Sequence, residues 1–160
     1  MSVSDSNSSI TYRLATIDDV DALATLRRAF LIEVADAEES DATIAPRLRH
    51  WFDAKLRSGE FTAILAVVGN EVIASSGLVV HEHPPGIMIP NGREAYIMNM
   101  YTRPAWRGRG IATIIFRRLL EIARQKGCSR VALHALPPGR PIYEREGFKA
   151  GDKEMRLDLK

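Results

Sequence analysis

The chain has 160 residues, with 22 Lys and Arg against 20 Asp and Glu, 46% apolar residues and a single cysteine. This size and composition are typical of one globular domain that buries enough surface to fold without disulfides or a structural metal. Cys128 is alone, so an internal disulfide is excluded. The apolar stretch 63–68 is far shorter than the roughly 18 residues that span a bilayer, which excludes a transmembrane helix.

The first nine residues, MSVSDSNSS, lack the basic and apolar regions of a signal peptide. We therefore expect residues 1–9 to form a flexible tail, residues 10–160 to form one domain, and the protein to be cytoplasmic.

The small net charge of +2 hides an uneven distribution. Residues 1–100 carry 8 basic and 14 acidic side chains, whereas residues 101–160 carry 14 basic and 6 acidic ones. Such asymmetry suggests an anionic ligand on one side and a cationic one on the other. The alternative is that the two halves neutralise each other.

The N-terminal part of the domain predicts a strand followed by two helices. Residues 10–15 form the strand, and Asp18 and Asp19 follow Thr16 in a first helical turn, where acids favour the positive end of the helix dipole. The acidic segment 35–43 breaks the pattern, and residues 46–56 resume it as a second helix. The apolar stripe of the first helix consists of Val20, Leu23, Ala24, Leu26, Phe30 and Leu31.

The middle of the chain predicts a hairpin, a long loop and another strand. Residues 61–68 and 71–81 are rich in β-branched side chains, and Gly69-Asn70 between them supplies the positive φ of a tight turn. The proline-rich sequence HEHPPGIMIPNG follows as a loop, and residues 94–102 form a fourth strand.

The last part predicts a long helix, a strand over 131–136, a short helix over 142–146 and a closing strand over 155–159. The long helix ends near Gly127, and its predicted buried stripe is Ile111, Ile114, Ile115, Leu119 and Ile122. The resulting order, β-α-α-β-β-β-α-β-α-β, predicts an α/β (α+β) fold with a mixed central sheet flanked by helices.

The segment 101–112, between the fourth strand and the long helix, indicates phosphate binding. Gly108 and Gly110 let the backbone turn so that successive N–H groups face one point at the positive end of the helix. Five arginines lie nearby with no acid among them, which suggests a ligand with more than one phosphate: Arg103, Arg107, Arg109, Arg117 and Arg118.

Two common phosphate motifs do not match this segment. A dinucleotide fingerprint needs a third small residue where Thr113 stands, and an acid after the next strand, where the residues are His134 and Ala135. A P-loop needs a lysine, and none lies between Lys55 and Lys126.

Two motifs do match one family. The sequence Arg107-Gly108-Arg109-Gly110-Ile111-Ala112 resembles the acyl-CoA signature Arg/Gln-x-x-Gly-x-Gly/Ala of the GNAT acetyltransferase superfamily. Tyr143-Glu144-Arg145-Glu146-Gly147-Phe148 resembles its closing motif, Tyr-x-x-x-Gly-Phe. The resemblance spans residues 10–159 and implies the GNAT fold.

The resemblance implies acetyl-CoA as cosubstrate. Backbone groups of Met100, Tyr101 and Thr102 would pair with the pantetheine arm as with an added strand. The pyrophosphate would be held by the N–H groups of Arg107, Gly108, Arg109, Gly110, Ile111 and Ala112. Many relatives have an asparagine after the fifth strand, but this chain reads Ala-Leu-Pro-Pro-Gly at 135–139, which weakens any expected side-chain contact there.

Two residues are candidates for catalysis. Acyl transfer to an amine needs a base for the ammonium proton and an acid for the departing thiolate. Glu94, at a position often acidic in the superfamily, is the candidate base, with a water chain or a solvated structural carboxylate as alternatives. Tyr143 is the candidate acid, since a phenol matches a thiolate in basicity, unless its ring only packs in the core. A backbone N–H near Met100 or Tyr101, where the strands splay, would stabilise the oxyanion.

We expect the acceptor to be a primary amine on a small molecule that attacks directly in a ternary complex. The loop 81–93 and the acidic segment 35–43 would shape its site, with the carboxylates of Glu33, Asp36, Glu38 and Glu39 attracting the amine unless they are simply a solvated helix face. Neither segment identifies the acceptor. A homodimer is possible because relatives often form dimers.

Other notable side chains have simpler explanations. His81 and His83 suggest a strand end more than a metal site, because no further ligands accompany them in the sequence. Cys128 is expected to be a small core residue. Packing is also the default for the aromatic residues Trp51, Phe52 and Trp106, and we expect no metal.

Three other functions stay open. One is a CoA-sensing or binding module without acceptor chemistry, and another is a protein-lysine or N-terminal acetyltransferase. A nucleic-acid surface on the basic half is the third and ranks last, since the arginines surround one turn without interleaved aromatics. We expect neither nucleic acid nor membrane as a partner.

Overall fold

A computed structural model of the protein describes residues 9–35 and 43–159. The five strands and four helices of this part of the chain are β1 (Thr11–Leu14), α1 (Val20–Ala35), α2 (Ile44–Ser58), β2 (Phe61–Val68), β3 (Glu71–Glu82), β4 (Arg93–Thr102), α3 (Ile111–Gln125), β5 (Arg130–Leu133) and α4 (Arg140–Arg145). The expected mixed α/β fold is confirmed.

The strands form one sheet in the order β1-β2-β3-β4-β5. The first four pair antiparallel, and β5 pairs parallel with β4. Val68 pairs with Glu71 across the predicted Gly69-Asn70 turn, and Gly69 has the expected positive φ of 58°. The chain reaches the parallel position of β5 by crossing over one face of the sheet through α3.

The sheet separates two apolar clusters. Ile115, Phe116 and Leu119 of α3 are fully buried against one face, together with Tyr143 of α4. On the opposite face, Leu26 of α1 and Phe52 of α2 pack against Leu65 and its neighbours. Because side chains alternate along a strand, the central strands β2, β3 and β4 contribute to both clusters, whereas β1 and β5 contribute only to the cluster beneath α3.

The ends of the first two helices follow the expected local chemistry. A short 3-10 turn over residues 17–19 precedes α1, and Thr16 and Asp19 form a reciprocal capping box at its start. Gly59 ends α2 in the left-handed conformation, with a φ of 74°. Among the described residues, no helix is both long and apolar enough to cross a bilayer.

Three expectations about the elements are wrong. The closing strand over 155–159 is not formed, and Met155, Leu157 and Leu159 are exposed, because alternation favours an extended backbone but pairing also requires an adjacent strand edge. Strand β5 ends at Leu133 instead of residue 136. Ile114 is 39% exposed, since it lies at the margin of the buried stripe of α3.

Candidate functional site

A notch opens where β4 and β5 separate. Their last pair is Ile97 with Leu133, yet β4 continues for five more residues to Thr102. In the described part of the chain, the β4 edge over 98–102 therefore has no strand partner on the β5 side. Met100, Tyr101 and Thr102, the predicted pantetheine-pairing residues, all lie along this edge. The splay expected near Met100 and Tyr101 is thus present in the structure.

A bulge in β4 lies beside the notch. Asn99 has a φ of 59°, the only positive φ of a non-glycine residue in the described ranges, and the β3–β4 register shifts between Ser75 and Gly77. The Ser76 hydroxyl donates to the Met98 carbonyl at 2.9 Å and braces the bulge from β3. A bulge bends a strand and increases its twist, which directs the end of β4 away from β5. Sequence reasoning missed this residue, although asparagine tolerates the left-handed region better than most residues.

The loop between β4 and α3 presents free backbone donors. Gly108 and Gly110 have φ values of 75° and 76°, as the phosphate-binding prediction requires. Ile114 makes the first helical bond, to the Gly110 carbonyl at 3.1 Å. Within residues 9–35 and 43–159, the N–H groups of residues 108–113 donate to no acceptor. The Arg107 N–H is different, because it donates to the Pro104 carbonyl at 3.3 Å. The donor array therefore begins one residue later than predicted.

The arginines near this loop are less free than their sequence suggests. Only Arg109 and Arg118 lack a carboxylate partner among the described residues. Arg109 stacks over the Trp106 ring at 4.7 Å, and Arg118 donates to the Tyr12 carbonyl at 3.1 Å. The other three form ion pairs with glutamates distant in sequence: Arg103 with Glu71 at 3.3 Å, Arg107 with Glu33 at 2.7 Å, and Arg117 with Glu146 at 2.7 Å.

One buried polar atom on the notch strand has no partner. The Thr102 Oγ1 is enclosed and makes no hydrogen bond with any described residue. A buried hydroxyl without a partner is costly, so the position fits a bound group that brings hydrogen-bonding atoms alongside β4. Together with the free amides of 108–113, it matches the donor and acceptor needs of an acyl-CoA.

Tyr143 lies on α4 with its ring in the α3-side cluster. The ring centroid is 5.0 Å from that of Phe116 and 6.3 Å from that of Phe148, which also packs against this cluster. Gly139 leaves room beside the phenol, since a Cβ there would lie 3.1 Å from the hydroxyl oxygen. Burial raises the pKa of Tyr143, and within the described residues its hydroxyl has no hydrogen-bond partner. The phenol is therefore protonated at neutral pH and free to donate.

Glu94 occupies the start of β4 and is engaged by two basic side chains. Its carboxylate lies 3.1 Å from the Arg130 Nε on β5 and 3.4 Å from the His83 Nε2. It precedes the last β4–β5 pair by three residues, which is about 10 Å along the strand. The potential ligand atoms of His81, His83 and Glu94 lie within 4.8 Å of one another, so the structure adds Glu94 as a third potential metal ligand beside the two histidines. However, the Glu94 carboxylate is already paired with the Arg130 guanidinium, which neutralises the charge that a metal ion would need.

A second cluster of polar side chains lies nearer the notch, on the face of the sheet that carries α1 and α2. Ala95 and Ile97 pack beneath α3, so alternation turns Tyr96 toward the α1 side. The Tyr96 hydroxyl contacts His134 Nδ1, and His134 Nε2 lies 2.6 Å from the Glu154 carboxylate. Tyr96 also stacks on His81 with centroids 5.8 Å apart. Tyr96 was not selected from the sequence as a site residue. The available signal was its place two residues before Met98, on the strand expected to part from its neighbour.

A cavity of ≈ 480 Å³ lies beside this polar cluster. Its walls include Trp51 and Lys55 of α2, His81 of β3, and Arg93 and Met98 of β4. This volume suits a small molecule. Residues at both ends of the segment 81–93 line this cavity, and so do residues of α2, which the sequence did not indicate.

The acidic side chains expected near the acceptor are only partly described. Glu33 pairs with Arg107, and this contact lowers the pKa of its carboxyl. Asp36, Glu38 and Glu39 lie outside the described residues. Cys128 packs against the α3-side cluster, and burial raises the pKa of its thiol, as expected for a core residue.

Known proteins are similar to this chain in sequence and in structure. Residues 21–148 match the family described as "Acetyltransferase (GNAT) family". A glucosamine 6-phosphate N-acetyltransferase of Trypanosoma brucei brucei is 30% identical over 108 residues, which cover 67% of this chain and 71% of that protein. A thialysine N-epsilon-acetyltransferase of Mus musculus is 42% identical over 45 residues, which cover 28% of this chain and 26% of that protein.

The structural similarity extends over almost the whole fold. The crystal structure of a predicted acetyltransferase from Clostridium acetobutylicum with acetyl-CoA superposes with a TM-score of 0.87 and 32% sequence identity. The match covers 94% of this chain and 97% of that one. The glycine turn and the closing tyrosine motif both lie within the matched family region. The chain is therefore a member of the GNAT acetyltransferase family.

Proposed function

We propose that this acyltransferase moves an acetyl group from acetyl-CoA to the primary amine of a small molecule by direct attack in a ternary complex. The observation that carries the proposal is the meeting of two features at one corner: the unpaired β4 edge over 98–102 and the free amides of residues 108–113. The first offers a strand edge to a pantetheine amide chain, and the second offers donors to a pyrophosphate.

The protein's own groups account for binding. Backbone atoms of Met100, Tyr101 and Thr102 would hold the pantetheine, and the N–H groups from Gly108 through Ala112 would hold the pyrophosphate, with Arg109 as the nearby cation. The Arg107 side chain would instead brace the loop, since its Nε donates to the Thr102 carbonyl at 2.9 Å. The cosubstrate supplies an activated thioester.

The chemistry needs groups on both sides of the notch. A backbone N–H of Met100 or Tyr101 would stabilise the charge that develops on the acyl oxygen. Tyr143, reaching up from the α4 side, would give its proton to the departing sulfur. Glu94, the candidate base, would need bridging water to reach the amine, because about 10 Å of strand separates it from the notch.

The acceptor would enter from the face opposite α3. The cavity has Trp51 of α2 in its wall and reaches Met98 at the notch edge, so an amine held at its Met98 end would lie next to the thioester. An alkylammonium with a pKa of about 10.4 is neutral for only about one molecule in a few thousand at pH 7, so removal of its proton is part of the enzyme's task.

The test combines binding with an acceptor screen. Calorimetry with CoA and acetyl-CoA measures binding, and release of the free CoA thiol measures transfer to glucosamine 6-phosphate, thialysine, and peptides that carry a free α-amine or a lysine. Thiol release with a small amine supports the proposal, and turnover restricted to the peptides would move the assignment to a protein acetyltransferase. Tight CoA binding without thiol release would indicate a CoA-binding module, and absence of binding would refute the site.

A further inference from the structure

A chain of hydrogen bonds lies at the notch on the face opposite Tyr143. The Tyr96 hydroxyl contacts His134 Nδ1, and the Glu154 carboxylate lies 2.6 Å from His134 Nε2. We propose that Tyr96 and His134 form the proton relay that deprotonates the acceptor amine, with Glu154 as the positioning residue. This proposal rests on the acetyl transfer proposed above.

The position of the pair follows from the strand register. Ile97 and Leu133 form the last pair of β4 and β5. Tyr96 comes directly before that pair and His134 directly after it, so their side chains meet on one face where the strands part. The thioester end of a ligand lying along β4 would reach the same point. Glu94 is two residues further from the notch and already contacts Arg130 and His83.

The hydrogen bonds define the direction of proton movement. An ionised carboxylate can only accept, so Nε2 of the neutral imidazole carries the hydrogen that points to Glu154, and Nδ1 accepts from the Tyr96 hydroxyl. The Tyr96 oxygen then takes a proton from the ammonium as its own proton passes to Nδ1. The products are a neutral amine and an imidazolium paired with Glu154. The His134 side chain is 49% exposed, so the proton can return to solvent after each turnover.

The charged surroundings favour this arrangement. Burial and the nearby Glu154 carboxylate raise the pKa of Tyr96, while Arg156 and Arg27 of α1 lower it, and the pKa stays raised on balance. The phenol is therefore protonated and able to donate at rest. Arg156 also holds Glu154, with 3.0 Å between Nε and Oε1, and this contact together with His134 lowers the pKa of that carboxyl. His81 stacks on the opposite side of the Tyr96 ring. Glu94 and Arg130, further along the same face, neutralise each other.

The acid and the base then lie on opposite faces of the sheet. Tyr143 belongs to the cluster beneath α3, whereas Tyr96 and His134 face α1. The amine would lose its proton on one face while the sulfur gains one from the other. No proton would need to cross the reacting atoms, which distinguishes this arrangement from a single group acting as both base and acid.

The first experiment removes each member of the relay. Tyr96→Phe keeps the ring stacked on His81 and removes only the hydroxyl, and we expect kcat to fall by about 100-fold or more at pH 7 with acetyl-CoA affinity unchanged. The kcat of His134→Gln should fall by a similar factor, and that of Glu154→Gln by a smaller one. Tyr12→Phe on β1 and His50→Gln on α2 are the matched controls and should keep wild-type turnover. Full activity in both Tyr96→Phe and His134→Gln would overturn the relay.

Two further measurements separate a relay from a structural role. The relay needs Nδ1 of His134 as a hydrogen-bond acceptor, so the pH profile of kcat/KM should have an acidic limb in wild type that His134→Gln lacks. In ¹⁵N NMR spectra of the free protein, His134 should appear as the neutral tautomer protonated at Nε2. The Tyr96→Phe substitution should change the ¹⁵N chemical shift of Nδ1. An acidic limb retained in His134→Gln, or protonation at Nδ1, would contradict the mechanism.

The wild-type result comes first and distinguishes the two proposals. If no amine in the screen releases CoA, the proposed function fails and the relay fails with it. A different result would overturn the relay alone. If the wild type is active, the relay variants keep their turnover, and Glu94→Gln abolishes both turnover and the acidic limb of the kcat/KM profile, then Glu94 is the base.

Discussion

The Arg107 guanidinium lies 2.7 Å from the Glu33 carboxylate, which joins the glycine-rich loop to α1. The same side chain covers the Tyr101 ring at 5.4 Å and donates to the Thr102 carbonyl. Both partners of the ion pair are nearly half exposed, so the pair itself adds at most about 1 kcal/mol to stability. The ion pair therefore matters mainly for position, because Arg107 fixes the end of β4. In the proposed complex, the phosphate contacts would then come from the backbone and from Arg109.

Arg109 is therefore the side chain whose loss should weaken CoA binding. It has no carboxylate partner in the described ranges and can turn from Trp106 toward a phosphate. A charge-assisted hydrogen bond contributes about 1.5–3 kcal/mol, so Arg109→Ala should raise the Kd for CoA about tenfold or more. Calorimetry at low and high salt measures this, and the variant should show a weaker salt dependence. Arg124→Ala, at the far end of α3, is the control, and equal affinities for the two variants would contradict the assignment.

Gly110 offers a test of the loop conformation itself. Its φ of 76° favours glycine, while a Cβ would meet nothing within 4 Å, so Gly110→Ala introduces strain without a clash. We expect a loss of stability of about 1 kcal/mol and a weaker affinity for CoA. Gly59→Ala is the matched control, because Gly59 has a φ of 74° and equal space at the end of α2. Both variants should lower Tm alike in thermal unfolding, but only Gly110→Ala should change the Kd. Equal Kd values would show that the turn does not present the amides.

Features set by local chemistry could be predicted from the sequence. The hairpin turn at Gly69, the end of α2 at Gly59 and the tight loop at Gly108 and Gly110 each depend on a glycine with positive φ, and the structure has all four. These glycine turns depend on a few neighbouring residues or on one motif. The parting of β4 and β5 is different, since it was assumed only through the family resemblance and no residue pattern in the sequence shows it.

Features set by distant partners could not be predicted in this way. The run from Arg103 to Arg118 contains no acid, but Glu33, Glu71 and Glu146 reach it from other elements. Tyr96 and His134 lie 38 positions apart, and only the register of β4 with β5 brings them together. The alternation of residues 155–159 likewise says nothing about whether an adjacent strand edge exists.

The start of α1 gives a prediction about acid stability. The Asp19 side chain is 9% exposed and lies 2.8 Å from Arg13, whose hydrogen bond is the main cause of its lowered pKa. Because the folded-state pKa lies below the unfolded value, its stabilisation is complete above the unfolded value of about 3.9 and is lost as the pH falls through the folded value. Asp19→Asn should cost about 1–3 kcal/mol at pH 7 and flatten the loss of stability in acid.

Urea unfolding between pH 2 and pH 7 measures this dependence. Asp21→Asn is the control from the same turn, because its contact with Arg49 is exposed and should contribute no more than about 1 kcal/mol. If both variants followed the same curve as wild type, the capping carboxylate would not be a source of acid sensitivity.

Tyr143 gives the sharpest test of the departing-group step. Tyr143→Phe keeps the ring between Phe116 and Phe148, so Tm should change little, whereas the loss of the hydroxyl should lower kcat by about 100-fold and spare CoA affinity. Burial raises the pKa of the phenol, and an acid must be protonated to act, so wild-type kcat should not decline before the ordinary tyrosine range near pH 10. Stopped-flow thiol release across pH 6–10 measures both effects, with Tyr12→Phe as the control. A normal kcat in Tyr143→Phe would assign the sulfur's proton to solvent and leave Tyr143 as a core residue, because the packing of its ring and the family assignment do not depend on the hydroxyl.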